Sequence, residues 1–388
     1  LTGKVLADKL PLTVQSAGST LNGSGTLTGS LNFAADYRSN LPFLNALACR
    51  RAVLWMLADN WPAWAGMQLD QPDMSRAQGT LPISAQTLDA LWGKRLITDT
   101  IEYQGVELYT AFLDLAQYGM TKNSPYIAAV SPAATRNPGY LAMVATQGRV
   151  ARLVLPTAGN SGQTWTAGYT YSDRTAVNSA WSDMCSSGNL EYYFEPGLDE
   201  NGQLAIYLKL GYIALGRPLS ETGLTLTYPG TLLDYGFPTT GSQGANMLWA
   251  SAPPNGTTVN WMSAWPHGAD LTDLESYPLM ETTATWQGSV VTEQAQIDAW
   301  ADGQVAMLTA GMTAPVLNVG GGAWPRPQDI HLGDGTKLAL TSQLHPPGPN
   351  GEPGYQGEVR VTGITIYPDG PSQSSYMQLQ TSAVLAAA

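Results

Sequence analysis

Residues Arg51–Gly66 read RAVLWMLADNWPAWAG. Val53, Trp55 and Leu57 alternate, Asp59-Asn60 is a turn pair, and Trp61–Gly66 brings the chain back, which predicts a β-hairpin. The same period of two extends upstream, in Leu10, Leu12 and Val14 and, across a turn at Asn22–Gly25, in Leu27, Leu31 and Phe33. Thr80–Ile83 and Thr98–Tyr103 are further short strands, and the polar pair Ser39-Asn40 opens a short predicted helix over Leu41–Cys49.

Beyond residue 104 the texture changes. Val106, Tyr109, Leu113 and Ala116 recur at helical spacing and predict a helix over Val106–Tyr118; Val177, Trp181 and Met184 do the same for Asp173–Ser187. Ser124–Gly168, between them, has no clear period, and Leu190–Phe194 and Leu204–Leu208 flank a polar hairpin tip at Pro196–Gly202. Arg217-Pro218 opens a third region. It contains alternating Leu224 and Leu226, a turn at Tyr228-Pro229-Gly230, a breaker-rich loop Gly236–Gly244 and an irregular stretch Trp249–Trp286. A helix is predicted over Glu293–Leu308 with Ile297, Ala301 and Leu308 inward, then hairpins over Ile330–Leu340 (turning at Asp334-Gly335) and Glu358–Tyr367 (turning at Thr362-Gly363). No period of 20–50 residues recurs, which excludes solenoids and propellers. The expected organisation is a strand-built domain over 1–104, a mixed α/β domain over 105–215 and a second strand-built domain over 216–388, with a Trp-rich insertion at about 245–290.

Composition agrees with a mainly β, α+β chain. Of 388 residues 44% are hydrophobic and only 12% charged, about half the globular norm of roughly 25%, and the net charge is −12. That balance excludes a phosphate-binding surface spread over the whole molecule, and the abundance of Gly (41) and Pro (26) excludes a coiled coil. No charged-then-apolar leader precedes Gly29, and the longest apolar stretch, Leu204–Leu215, is broken by Lys209 and Gly211, so membrane insertion and export are not expected. Cys49 and Cys185 are too few for a disulfide framework and read as buried free thiols. The Asn-Gly-Ser/Thr triplets at Asn22 and Asn255 read as turns.

Chemistry-bearing patterns are scarce. The three histidines, His267, His331 and His345, have no second histidine at ligand spacing. Ser161 lies in Gly159-Asn160-Ser161-Gly162-Gln163, which departs from the nucleophile-elbow pattern. Asp199-Glu200-Asn201-Gly202 lacks the remaining ligands of a calcium loop and reads as a hairpin tip. Asp270, Asp273 and Glu275, near Trp261 and Trp265, form the best carboxylate cluster, and a solvated loop is the preferred reading of them. Trp (12) outnumbers Phe (5); Trp55, Trp61, Trp64 and Trp181 suit a core or an interface, whereas exposed Trp would stack on sugar. No catalytic, cofactor-binding or metal residue is assigned, and no enzymatic activity is expected.

An ordered set of motifs resembles one family. The hairpin ending in Trp64-Ala65-Gly66, the run Trp92-Gly93-Lys94-Arg95-Leu96-Ile97 with Tyr103 after it, Leu226-Thr227-Tyr228-Pro229-Gly230, Leu233-Asp234-Tyr235, Ala245-Asn246-Met247-Leu248-Trp249, the hairpin His331-Leu332-Gly333-Asp334-Gly335 and Arg360–Pro368 resemble, in this order, the tail-hub (minor tail, baseplate hub) proteins of siphophages infecting actinobacteria. Trp249–Trp286 departs from that pattern. The resemblance implies two tube-type β-barrels with a laterally inserted α/β domain. It further implies a homotrimer at the virion tail tip, assembled in the host cytoplasm, whose six barrels form a pseudo-hexameric ring. Its implied partners are the distal tail protein ring, the end of the tape-measure protein and the central fibre or receptor-binding proteins, with DNA only in transit and no membrane. A distal tail protein, a carbohydrate- or receptor-binding tail protein using Trp261 and Trp265, and a secreted glycan hydrolase using Asp270 or Glu275 are the competing readings. A lumen that DNA crosses without sticking is expected to be neutral to acidic.

Overall fold

A computed structural model describes residues 10, 12–32, 52–58, 60–70, 79–132, 138–150, 152–157, 159–188, 190–212, 214–238, 247–252, 261–263, 281–285, 294, 297–298, 301, 315–320, 326, 328–368 and 375–383. The hairpin that the sequence announces is present as β3 (Val53–Ala58) and β4 (Trp61–Met67), with Asn60 in the left-handed region at φ 65°. It is the end of a long sheet. β1 (Leu12–Thr20) pairs with β2 (Thr26–Asn32), β2 with β5 (Thr80–Gln86), and β5 with β4, all antiparallel.

The other half of the sheet is built from β12 (Thr225–Tyr228), β13 (Leu232–Gly236), β17 (Val316–Gly320), β18 (Gly335–Leu340), β19 (Tyr355–Tyr367) and β20 (Tyr376–Ala383). β19, of 13 residues, joins the halves: Tyr355–Arg360 pairs with β18, and Gly363–Ile366 pairs with Thr20–Ala17 of β1. The result is one eleven-stranded, mainly antiparallel sheet; among the described residues no pairing closes it into a barrel. Thr362-Gly363 is therefore not a hairpin turn. Thr362 is an extra residue in a bulge between Val361 and Gly363, and the bulge lies where β19 changes partner. Nor is Ile330–Leu340 a hairpin: the strand begins only at Gly335, and residues 331–334 form a turn fixed by buried Asp334.

Between the halves lies the mixed region: β6 (Thr100–Glu107), β7 (Ile127–Ala129) and β9 (Thr164–Tyr169) in one sheet, and β8 (Leu153–Val154), β10 (Leu190–Leu198) and β11 (Leu204–Tyr212) in another. The helices are α1 (Asp89–Trp92), α2 (Leu108–Thr121), α3 (Pro138–Gln147), α4 (Val177–Gly188) and, after the region, α5 (Leu219–Thr222). α2 starts two residues later than its period suggests because Val106 and Glu107 still belong to β6; Glu107 caps it, accepting from Thr110 N at 2.8 Å. α3 falls in the stretch that has no period: its apolar residues point several ways, and Met143 is exposed. Trp249–Trp286, expected to be irregular, holds three paired strands, β14 (Met247–Ala252), β15 (Trp261–Ser263) and β16 (Glu281–Thr285). Of the helix expected over 293–308, Gln294, Ile297, Asp298 and Ala301 are helical, with Ile297 and Ala301 buried. The expected helix Leu41–Cys49 lies outside the described residues.

Three cores result. One, under α2 and α4, stacks Trp181 on Phe112 (4.5 Å between centroids) and on Trp92 (5.7 Å). A second gathers Leu226, Leu317, Leu338, Val359, Val361 and Leu379; a third gathers Leu27, Leu31, Trp64, Leu81 and Ile83. No described helix is long and apolar enough to cross a membrane. Cys185, in α4, is a free thiol whose pKa burial pushes up to about 12, with Glu191 and Asp89 adding to the shift.

Candidate functional site

The polar residues that sequence reading passes over meet where β10 and β11 cross the joint between the sheet halves. Glu195 Oε1 accepts hydrogen bonds from Tyr193 Oη (2.9 Å) and lies 2.7 Å from His331 Nδ1, while Lys209 Nζ pairs with Oε2 at 3.0 Å. Burial alone would raise the Glu195 pKa, but the hydrogen bonds and charges of His331 and Lys209 outweigh it and bring it down to about 2. Tyr193 is pushed far up by burial and by Glu195. These groups line a cleft of about 260 Å³, whose floor carries Ala17, Ile364 and Ile366 and whose rim carries Trp61.

A second knot lies beside it. Arg360, on β19, donates from both Nη atoms to the carboxylate of Glu191 on β10, from Nη2 also to Leu215 O (2.6 Å), and from Nε to Gly333 O (3.1 Å). Arg217 grips Asp334, which is wholly buried, at 2.6 Å. Gly333 is in the left-handed region (φ 93°), and a Cβ there would stand 2.0 Å from Leu215 O, so only glycine lets these two backbones cross. On the other side of β10, Tyr192 N donates to Asn22 Oδ1 (2.8 Å), and the Tyr192 hydroxyl donates to Asp89, which also accepts from Ser24 Oγ (2.7 Å). One strand, β10, is thus bonded to both halves of the long sheet.

His331, expected in a strand and without a role, sits in the turn before β18 and pairs with Glu195. His345 packs among Tyr235, Phe237 and Tyr355. Ser161 donates to Glu107 Oε1 at 2.6 Å, beside the α2 cap. Asp199 closes its hairpin tip by accepting from Asn201 N and Gln203 N. Trp261 is in β15, whereas Trp265, His267, Asp270, Asp273, Glu275 and Cys49 lie outside the described residues. Among the described residues no three His, Cys, Asp or Glu side chains stand together as a metal site.

The face of the long sheet away from its cores carries rows of uncharged polar side chains. Cross-strand partners place Asn318, Gln378, Thr365 and Gly18 in one row, and Gln378 Nε2 donates to Asn318 Oδ1 at 3.2 Å. Ser84, Thr28 and Ser16 form another, with Ser16 Oγ 2.8 Å from Thr28 Oγ1. In these two rows the charged neighbour is Asp234, opposite Asn318 at one end; nearer the β18–β19 pair, Lys337 opposes Glu358, and Arg360 alternates with the buried Val359 and Val361.

No protein-family model matches the chain, and no curated protein matches it in sequence. Solved structures do match in fold. A tail protein from Neisseria meningitidis MC58 superimposes with TM-score 0.53 at 13% identity, covering 96% of this chain and 93% of that one. The 43 kDa tail protein of prophage MuSo2 from Shewanella oneidensis superimposes with TM-score 0.50 at 11% identity, covering 96% of this chain and 94% of that one. The chain thus has the fold of these tail proteins along almost its whole length.

Proposed function

We propose that the chain is a structural tail protein of a phage, and specifically a tail-tip or baseplate hub. Its fold matches two tail proteins end to end, and this observation carries the reading. The two strand-built parts, 1–104 and 216–388, act as tube-type domains, with 105–215 as the lateral α/β domain between them. Three copies form a ring of six such units. β3 and β13, the two ends of the strand path, meet between neighbours and extend the sheet around the ring. Leu57 on β3 (52% exposed) and Leu233 on β13 (54%) suit edges that a neighbour covers. The uncharged polar face lines the lumen, where DNA passes without a basic surface to hold it. The ring joins the distal tail ring above to the tape-measure end and the central fibre or receptor-binding proteins below, at the tail tip of a siphophage. The chain carries no catalytic role in this reading.

Rotational symmetry is the test. Full-length protein, alone and co-expressed with the products of adjacent tail genes, is weighed by native mass spectrometry and imaged by electron microscopy. Three-fold rings are expected. Six-fold rings would reassign it as a distal tail protein, and a monomer under both conditions would overturn the hub reading.

A further inference from the structure

The cleft beside Glu195 stands on its own chemistry, whatever the assembly. It is open and preorganised. Tyr207 is pinned by its hydroxyl, which donates to Leu198 O at 2.9 Å, and by Gly197, where a Cβ would stand 3.0 Å from the ring; Lys209 Nζ lies 5.6 Å from the ring centroid. Trp61, from the β3–β4 hairpin, adds a second aromatic surface at the rim and is 42% exposed. The polar wall keeps capacity in reserve. Lys209 spends one of three donors on Glu195, and its side chain is 44% exposed. His331 engages Glu195 through Nδ1, which leaves Nε2 on a side chain 38% exposed. Glu195 Oε2 accepts from Lys209 and has a further lone pair.

We infer that this cleft is a saccharide site for one pyranose unit. A pyranose has an apolar face that stacks on an aromatic ring and a rim of hydroxyls that both donate and accept; Trp61 or Tyr207 supplies the first partner and Lys209, Glu195 and His331 the second. Its size sets an upper limit: about 260 Å³, below the ligand-pocket range of roughly 300–1,000 Å³, admits a single ring and not an extended glycan. The charges are already paired, so a neutral sugar is favoured over an anion. The floor of Ala17, Ile364 and Ile366 gives the ring an apolar bed.

The test uses the full chain and saturation-transfer NMR with methyl glycosides of glucose, galactose, mannose, rhamnose and N-acetylglucosamine, beside an array of immobilised glycans. Millimolar binding of at least one glycoside is expected. Trp61→Ala should weaken it about tenfold, Trp61→Phe should restore most of it, Lys209→Met should weaken it several-fold, and Trp249→Ala should leave it unchanged. Array signal carried by terminal units distinguishes a surface glycan from a free sugar as the source. If no glycoside transfers saturation at millimolar concentration, or if Trp61→Ala and Lys209→Met bind like the parent chain, the inference is wrong. Loss of self-association in Trp61→Ala, without any sugar binding by the parent, would overturn it in favour of a contact between copies.

Discussion

Glu195 is held by partners from three places in the chain: Tyr193 two residues away, Lys209 across the hairpin, and His331 from the turn before β18. A carboxylate whose folded pKa is depressed from 4.5 to about 2 contributes stability that is present above the unfolded value and is lost as pH falls through the folded one. The pH window is therefore about 4.5 down to about 2, and the effect is of order 2–3 kcal/mol. Denaturation at pH 5 and at pH 2.5 should show the parent chain losing more stability than Glu195→Gln; equal losses would remove Glu195 from the joint. Trp181→Ala is the sharper change, since it opens a void between Phe112 and Trp92 and removes the indole N–H that donates to Phe112 O at 3.3 Å. A cost of about 3–5 kcal/mol is expected, read as a lowered denaturation midpoint, and a shift below 1 kcal/mol would show that the core collapses around the void. Trp181 was legible in the sequence because helical period places it on the buried face. Glu195 was not: it sits in an ordinary strand, and although Lys209 reaches it across the β10–β11 hairpin, His331 becomes a neighbour only where that hairpin crosses the joint.

At the scale of elements, β19 shows what periodicity can and cannot convey. Val359 and Val361 alternate on one side of Thr362, Ile364 and Ile366 on the other, and the parity changes between them. A turn and a bulge both produce that change. What separates them is whether the chain reverses, and that depends on β1, more than 340 residues away in sequence, offering its edge to Gly363–Ile366. The β3–β4 hairpin had no such ambiguity, since its turn closes on its own neighbours. Deleting Thr362 tests the bulge directly. Without the extra residue, either Ile364 and Ile366 turn to the polar face or Val359 and Val361 leave the core. Hydrogen exchange should then show loss of protection at Ala17–Thr20, which pairs with the far half of β19, while Leu190–Leu198 and its partner strand β11 keep theirs. Unchanged protection at Ala17–Thr20 would mean that the bulge is dispensable.

For the whole molecule, low charge and the −12 balance acquire a location. Polar side chains are needed on the outer face of so long a sheet, and here most are Asn, Gln, Ser and Thr; Glu191 and Asp334 are instead tied up in the pairs Glu191–Arg360 and Asp334–Arg217. The rows through Asn318–Gln378–Thr365 and Ser84–Thr28–Ser16 form hydrogen bonds with water and carry no cations for phosphates to settle on. Duplex DNA binding that depends on counterion release scales with the phosphates neutralised, with a slope of about −0.9 per contact in log affinity against log salt. The parent chain should therefore show no salt-dependent affinity for duplex DNA in fluorescence anisotropy at low ionic strength. Changing one row to cations, as Asn318→Lys, Thr365→Lys and Gln378→Lys together, should create binding that weakens steeply as salt is raised, because three adjacent strands then present their charges side by side. In an assembled tail the same triple variant should slow DNA release, measured as the half-time of ejection in the presence of a fluorescent DNA dye. Salt-dependent binding by the parent chain as strong as that of the variant would remove this face as the lining of the proposed hub's lumen.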